Sequence, residues 1–151
     1  MKVKVKKLHG DAVIPKYAKK GDAGLDLTAI SKEYDEYANA VYKTGLAIEI
    51  PENYVGLIFP RSSNSKKDLL LCNSVGVLDS GFRGEVEFRY KWVGHCQIPN
   101  IGSELKNLYN IEDRIGQIMI IPYPQIEFEQ VEELSETERG FNGFGSTNLE
   151  K

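Results

Sequence analysis

The chain has 151 residues and a mass of 17.0 kDa, the size of one domain with one ordinary hydrophobic core. Hydrophobic residues make up 41% and charged residues 27%, and 19 Lys+Arg against 22 Asp+Glu leave a net charge of -3. That balance excludes a disordered or collagenous chain and a strongly basic nucleic-acid binder, the apolar runs are too short to cross a membrane as a helix, and two cysteines make neither a disulfide framework nor a zinc site.

Met1 leads straight into Lys2-Val3-Lys4-Val5-Lys6-Lys7, with no charged-then-apolar leader, so a soluble, reduced, cytoplasmic setting is expected. Val3 and Val5 alternate with lysines as in a strand. Asp22-Ala23-Gly24-Leu25-Asp26-Leu27 sets two carboxylates around a glycine, or simply starts a strand. Pro51-Glu52-Asn53 is a turn, and Tyr54 to Phe59 is a short apolar run suited to a sandwich interior. Pro60-Arg61-Ser62-Ser63 follows: a guanidinium and paired hydroxyls suit a polyphosphate, and a serine cap with an ordinary salt bridge is the plainer reading. Cys72, at the end of an apolar run, is expected as a small core residue.

From Asn73 to Gly84 the pattern is that of a β-hairpin running into the alternating strand Glu85 to Tyr90, with Val86, Phe88 and Tyr90 on one face. Its backbone N–H and C=O groups can read a pyrimidine edge, and Asn73 carries a donor and an acceptor for the same task. Asp79 at the tip either acts as a general base for water or opens the turn. Pro99-Asn100-Ile101-Gly102 is a further turn. Asp113-Arg114-Ile115-Gly116-Gln117-Ile118 leads a buried strand, with Arg114 paired to an acid as the plain reading, and Ile126 to Glu129 alternates as one more strand. His9 and His95 are lone histidines, read as surface or structural.

Acidic residues from Glu132 to Glu138 then give way to Arg139-Gly140-Phe141-Asn142-Gly143-Phe144-Gly145-Ser146-Thr147-Asn148. That segment has no core of its own, so 132–151 is expected as a mobile arm on a single domain of residues 1–151. About a dozen extended residues span ~40 Å, enough to visit a neighbouring subunit. Its amides and Arg139 suit an anion and Phe144 can stack on a base, or the aromatics plug a surface groove. It is neither a Walker loop nor a dinucleotide fingerprint. Many short strands, no repeat and no linker predict an all-β sandwich or closed barrel.

In this order, Asp22 to Leu27, Pro60 to Ser63, Gly76 to Gly84, Arg114 to Gln117 and Arg139 to Thr147 resemble the five motifs of the trimeric deoxyuridine triphosphatases (dUTPases). The likeness covers about residues 10 to 148, and five ordered motifs are far more specific than any one.

The resemblance implies a jelly-roll-like distorted β-barrel with a flexible C-terminal arm. It implies a homotrimer with active sites at subunit interfaces, and hydrolysis of dUTP to dUMP and pyrophosphate with Mg²⁺. Neither nucleic acid nor membrane is implied as a partner. Carried over, Asp79 orients and deprotonates the water that attacks the α-phosphorus. Phe82 lies under the deoxyribose and leaves no room for a 2′-hydroxyl. Asn73, with backbone near Val77, Leu78 and, across the ladder, Glu87, reads uracil. Arg61, Ser62, Ser63 and Gln117 hold the phosphates. Arg139, Ser146 and Thr147 close on the γ-phosphate, Gly145 belongs to the substrate-binding set beside them, and Phe144 stacks on uracil as a lid from another subunit. Asp26 touches Mg²⁺ through water, the metal being held mainly by the triphosphate.

Three positions depart from the family pattern. Phe82 stands where tyrosine is usual, Gly116 where alanine is usual (read as a minor change), and Asn148 replaces the last glycine of the arm. Trp92 to Asn110 is longer than the usual connection and has no motif. The rival on the same fold is dCTP deaminase, which shares an Arg-Ser-Ser stretch and a Gly-Phe after the hairpin aspartate. That family has its catalytic glutamate ten residues beyond the aspartate, where this chain has Arg89, which cannot act as a base at neutral pH. A nucleotide-binding regulator without chemistry and a structural jelly roll are the non-enzymatic alternatives.

Overall fold

Alternating apolar residues separated by turn chemistry give ten short strands, described here from a computed structural model that covers residues 1–93 and 108–143. They are β1 (Lys4–Lys7), β2 (Leu25–Thr28), β3 (Ser31–Tyr34), β4 (Ala40–Lys43), β5 (Leu46–Glu49), β6 (Tyr54–Phe59), β7 (Leu69–Leu71), β8 (Gly76–Leu78), β9 (Glu87–Trp92) and β10 (Arg114–Pro122). All pairings are antiparallel, in two four-stranded sheets ordered β2-β10-β6-β8 and β3-β4-β9-β7, with β1 and β5 as a separate pair. The architecture is the expected all-β jelly roll, and no α-helix occurs among the described residues.

Both sheets aim alternate residues inward. Val86, Phe88 and Tyr90 are buried, as the alternation predicts, and meet Leu27, Tyr42, Ile58, Ile115 and Ile118. Thr44 is a buried polar residue whose hydroxyl donates to the Val86 carbonyl at 2.6 Å, so its burial carries no orphaned donor. The turn at Pro51 closes through the Tyr54 amide on the Pro51 carbonyl, with Asn53 at φ 65°.

Four expectations need correction. Cys72 is exposed: Leu69 and Leu71 point inward, so the period of two sends Leu70 and Cys72 to solvent. The run from Asn73 to Tyr90 is not one ladder. β8 pairs with β6 in one sheet while β9 pairs with β4 and β7 in the other, and just before β9 the Val86 amide donates to the Leu46 carbonyl of β5. Residues 126–129 form no strand and pair with no other among the described residues, and Ile126 and Phe128 are 69% and 91% exposed. Gly116 is not a minor change either. A methyl there would overlap the Phe88 ring, which is buried and parallel to Tyr90 with centroids 6.3 Å apart, so the ring or the strand would have to shift.

Candidate functional site

The strand ends of the first sheet build a cleft of about 730 Å³, lined by Asp22, Gly24, Asp26, Arg61, Ser62, Arg114 and Gln117 among others. Register explains the convergence. Gln117 on β10 lies opposite Asp26 on β2 and opposite Phe59 on β6, so one rung carries both polar groups and ends two residues before Arg61. A bulge between Arg114 and Gly116 supplies the extra residue that puts Arg114 opposite Thr28. Thr28 and Asp26 share a face, so Arg114 joins Asp26 and Gln117 there.

Asp26 then accepts from two guanidiniums: Arg61 Nε to Oδ1 at 2.7 Å and Arg114 Nη1 to Oδ2 at 3.1 Å. The Arg61 and Asp26 side chains are three-quarters buried, which strengthens that pair relative to a surface bridge. Arg61 Nη1 also reaches the Ser63 hydroxyl at 3.4 Å. Gln117 Nε2 donates to the Pro60 carbonyl at 3.0 Å, bracing the segment that carries Arg61; Gly24 leaves the room for its amide. Ser62–Lys66 is a 3-10 turn with Arg61 at its N-cap and no side-chain cap, so the serine-cap reading does not hold. Two arginines held on one carboxylate beside paired serines are the donor set that a chain of phosphates would need.

The remaining predicted residues lie elsewhere. Asn73, Val77, Leu78, Asp79 and Phe82 do not line this cleft. β8 is the edge strand beyond β6, and its outer side is unpaired among the described residues. The Asn73 amide lies over Gly76, and the Phe82 ring lies over Gly84, whose missing Cβ makes the space. Asp79 is exposed at the end of β8 and opens a turn through the Phe82 amide on its carbonyl. Glu87 is not across a ladder from β8; it sits on β9 opposite Lys43 and accepts from Arg89 at 2.6 Å. Arg139 is exposed, its Nε donating to the Asn142 carbonyl. Phe144, Gly145, Ser146 and Thr147, like His95, Cys96 and residues 97–107, lie outside the described residues. Arg114 is a cleft residue that alternation alone conceals, because without the bulge it would face away from Gln117.

Across nearly its whole length this set of strands and motifs coincides with a known family. The dUTPase family model matches residues 10–148. The chain belongs to the dUTPase family. A deoxyuridine 5'-triphosphate nucleotidohydrolase of Gloeothece citriformis is 40% identical, the match covering 99% of this chain and 98% of the relative. The dUTPase of Staphylococcus bacteriophage 80alpha with dUpNHpp superposes with a TM-score of 0.81 at 30% identity, covering 96% of this chain and 97% of that one. A variant dUTPase of phage phi11 of S. aureus, in which a structural Mg(II) ion is coordinated, gives a TM-score of 0.69 at 28% identity, covering 88% and 98%.

Within this dUTPase chain, no group of three or more His, Cys, Asp or Glu converges on a metal position among the described residues. Asp22 and Asp26 are the carboxylates of the cleft, and Asp26 already serves two arginines. That donor set fits an ion delivered on a polyphosphate and met through water. Position 89 bears on the deaminase rival: Arg89 is bonded to Glu87 and Asp35 on an exposed sheet face, far from acid–base work. No helix among the described residues is long and apolar enough to cross a membrane.

Proposed function

We propose that this enzyme hydrolyses dUTP to dUMP and pyrophosphate, with each active site assembled from more than one chain. The observation that carries the reading is the pair of guanidiniums fixed on Asp26 at the cleft mouth, beside the Ser62 and Ser63 turn. Phosphoryl transfer asks mainly for positioning and charge neutralisation, and this receptor supplies both. Arg61, Arg114 and the two serines bind the phosphate chain. Mg²⁺ carried by that chain would neutralise phosphate charge, with Asp26 reaching it through water. Asp79 takes the proton from water as its oxygen bonds to the α-phosphorus and the bond to the bridging oxygen breaks, releasing pyrophosphate.

The open edge of β8 and the Asn73 amide offer donors and acceptors for the uracil edge, and the Phe82 ring packs under the deoxyribose. Arg139, Phe144, Gly145, Ser146 and Thr147 close over the substrate and exclude bulk water. Two features support assembly as a homotrimer. The β8 group and the phosphate cleft are separate on one chain, and residues 123–134 expose Ile126, Phe128, Val131 and Leu134 among the described residues.

The test is pyrophosphate release from dUTP, dCTP, dTTP and UTP, each assayed separately with Mg²⁺. Release from dUTP alone is expected. Uracil nucleotide formed from dCTP would place the chain with the deaminases, and binding of dUTP without turnover would leave a nucleotide-sensing protein.

A further inference from the structure

Outside the five motifs, one buried hydroxyl reaches the phosphate-binding turn. Tyr109 is 2% exposed and is fixed on several sides. Its amide donates to the Tyr42 hydroxyl at 3.1 Å, and that hydroxyl donates to the Tyr109 carbonyl at 3.2 Å. Its ring packs edge-on to Tyr42 and tilted against Tyr90, with centroids 5.9 and 5.5 Å away. Lys67 Nζ sits 4.5 Å above that ring and donates to the Leu108 carbonyl at 2.9 Å.

The Tyr109 hydroxyl so held donates to Asn64 Oδ1 at 3.1 Å. Asn64 lies in the middle of the 3-10 turn Ser62–Lys66, which has no buried residue of its own to anchor it. Asn64 donates its side-chain amide to the Leu69 carbonyl at 2.8 Å and its backbone amide to the Arg61 carbonyl at 2.9 Å. The turn that presents Arg61, Ser62 and Ser63 is therefore placed by polar ties, and Tyr109 supplies a side-chain tie from the core. Burial pushes the Tyr109 hydroxyl above its ordinary range, partly offset by the Ser63 hydroxyl and Arg61, which keeps it a donor.

We infer that Tyr109 is a positioning residue for the triphosphate: through Asn64 it holds the Ser62–Lys66 turn where Arg61, Ser62 and Ser63 meet phosphate oxygens. The inference rests on the dUTP reading above and adds to it a residue on which phosphate affinity depends without any contact with substrate. The loss of one such hydrogen bond predicts about a fivefold effect.

The test uses the full chain as wild type, Tyr109→Phe, Asn64→Ala and Ile50→Val, the last a core change that lowers the melting temperature without touching the turn. Binding of dUpNHpp and of dUMP is measured calorimetrically with Mg²⁺, beside KM and kcat for dUTP. Tyr109→Phe is expected to weaken dUpNHpp and raise KM about fivefold, leaving dUMP affinity and kcat within about twofold. Asn64→Ala should show the same selectivity, and Ile50→Val neither change. An equal loss for dUMP and dUpNHpp, no loss at all, or the same selective loss in Ile50→Val would overturn the inference. A wild type that binds dUpNHpp but leaves dUTP intact would sink the hydrolysis reading, and the binding comparison would still decide the role of Tyr109.

Discussion

Asp79 stands at the exposed end of an edge strand, where a carboxylate has room to hold a water molecule as well as to open a turn. Asp79→Asn keeps the shape and the turn while removing the base. Its kcat should fall by about 10²–10⁴, with dUpNHpp affinity held within about twofold, as single-turnover rates and calorimetry would show. A variant that kept most of its kcat would refute the assignment. Gly116 makes a packing claim instead. Gly116→Ala should cost about 1–3 kcal/mol in urea unfolding because its methyl meets the Phe88 ring, and adding Phe88→Leu should recover part of the loss. These residues show how far the sequence could be read. Asp79, Arg61 and Gln117 announce themselves by motif, but the fit between Gly116 and Phe88 is a contact between residues 28 apart that no local pattern carries.

Elements were legible where a period of two ran long enough. β9 follows its apolar alternation, β6 and β10 follow their short apolar runs, and the turn at Pro51 follows its residues. Two properties escaped because they depend on which strand pairs with which. β8 and β9 look like a hairpin but part into different sheets, and the bulge in β10 turns Arg114 toward the cleft. The strands also bring three tyrosines together in the core, and this has a consequence at high pH. Burial pushes Tyr42 up to about 12, and it raises Tyr90 and Tyr109 as well. A raised folded value means that the stabilisation is complete below the unfolded value near ~10 and is lost as pH rises through the folded one. Absorbance at tyrosinate wavelengths should therefore show these three ionising together with unfolding above about pH 10, not before it. Reversible ionisation of all eight tyrosines with circular dichroism unchanged would contradict the buried cluster.

At the scale of the whole molecule, the proposed assembly splits the site residues of one chain into two half-sites, and the chain exposes an apolar segment at 126–134. The sequence carried this only through its resemblance to the dUTPases, since composition demands no trimer and residues 126–129 alternate like a strand yet pair with none among the described residues. The account makes Asp79 of one chain act on a triphosphate held by Arg61 of another. The most direct measurement is complementation: Asp79→Asn and Arg61→Ala chains are each assayed with dUTP alone, then after co-refolding at equal ratio. Each homogeneous variant should be nearly inactive. Random mixing in a ring with one hairpin and one phosphate cleft per site leaves both residues intact in about a quarter of sites, so about a quarter of wild-type kcat should return. A mixture as inactive as its parents would mean that Asp79 and Arg61 must come from the same chain, and the composite site would be wrong.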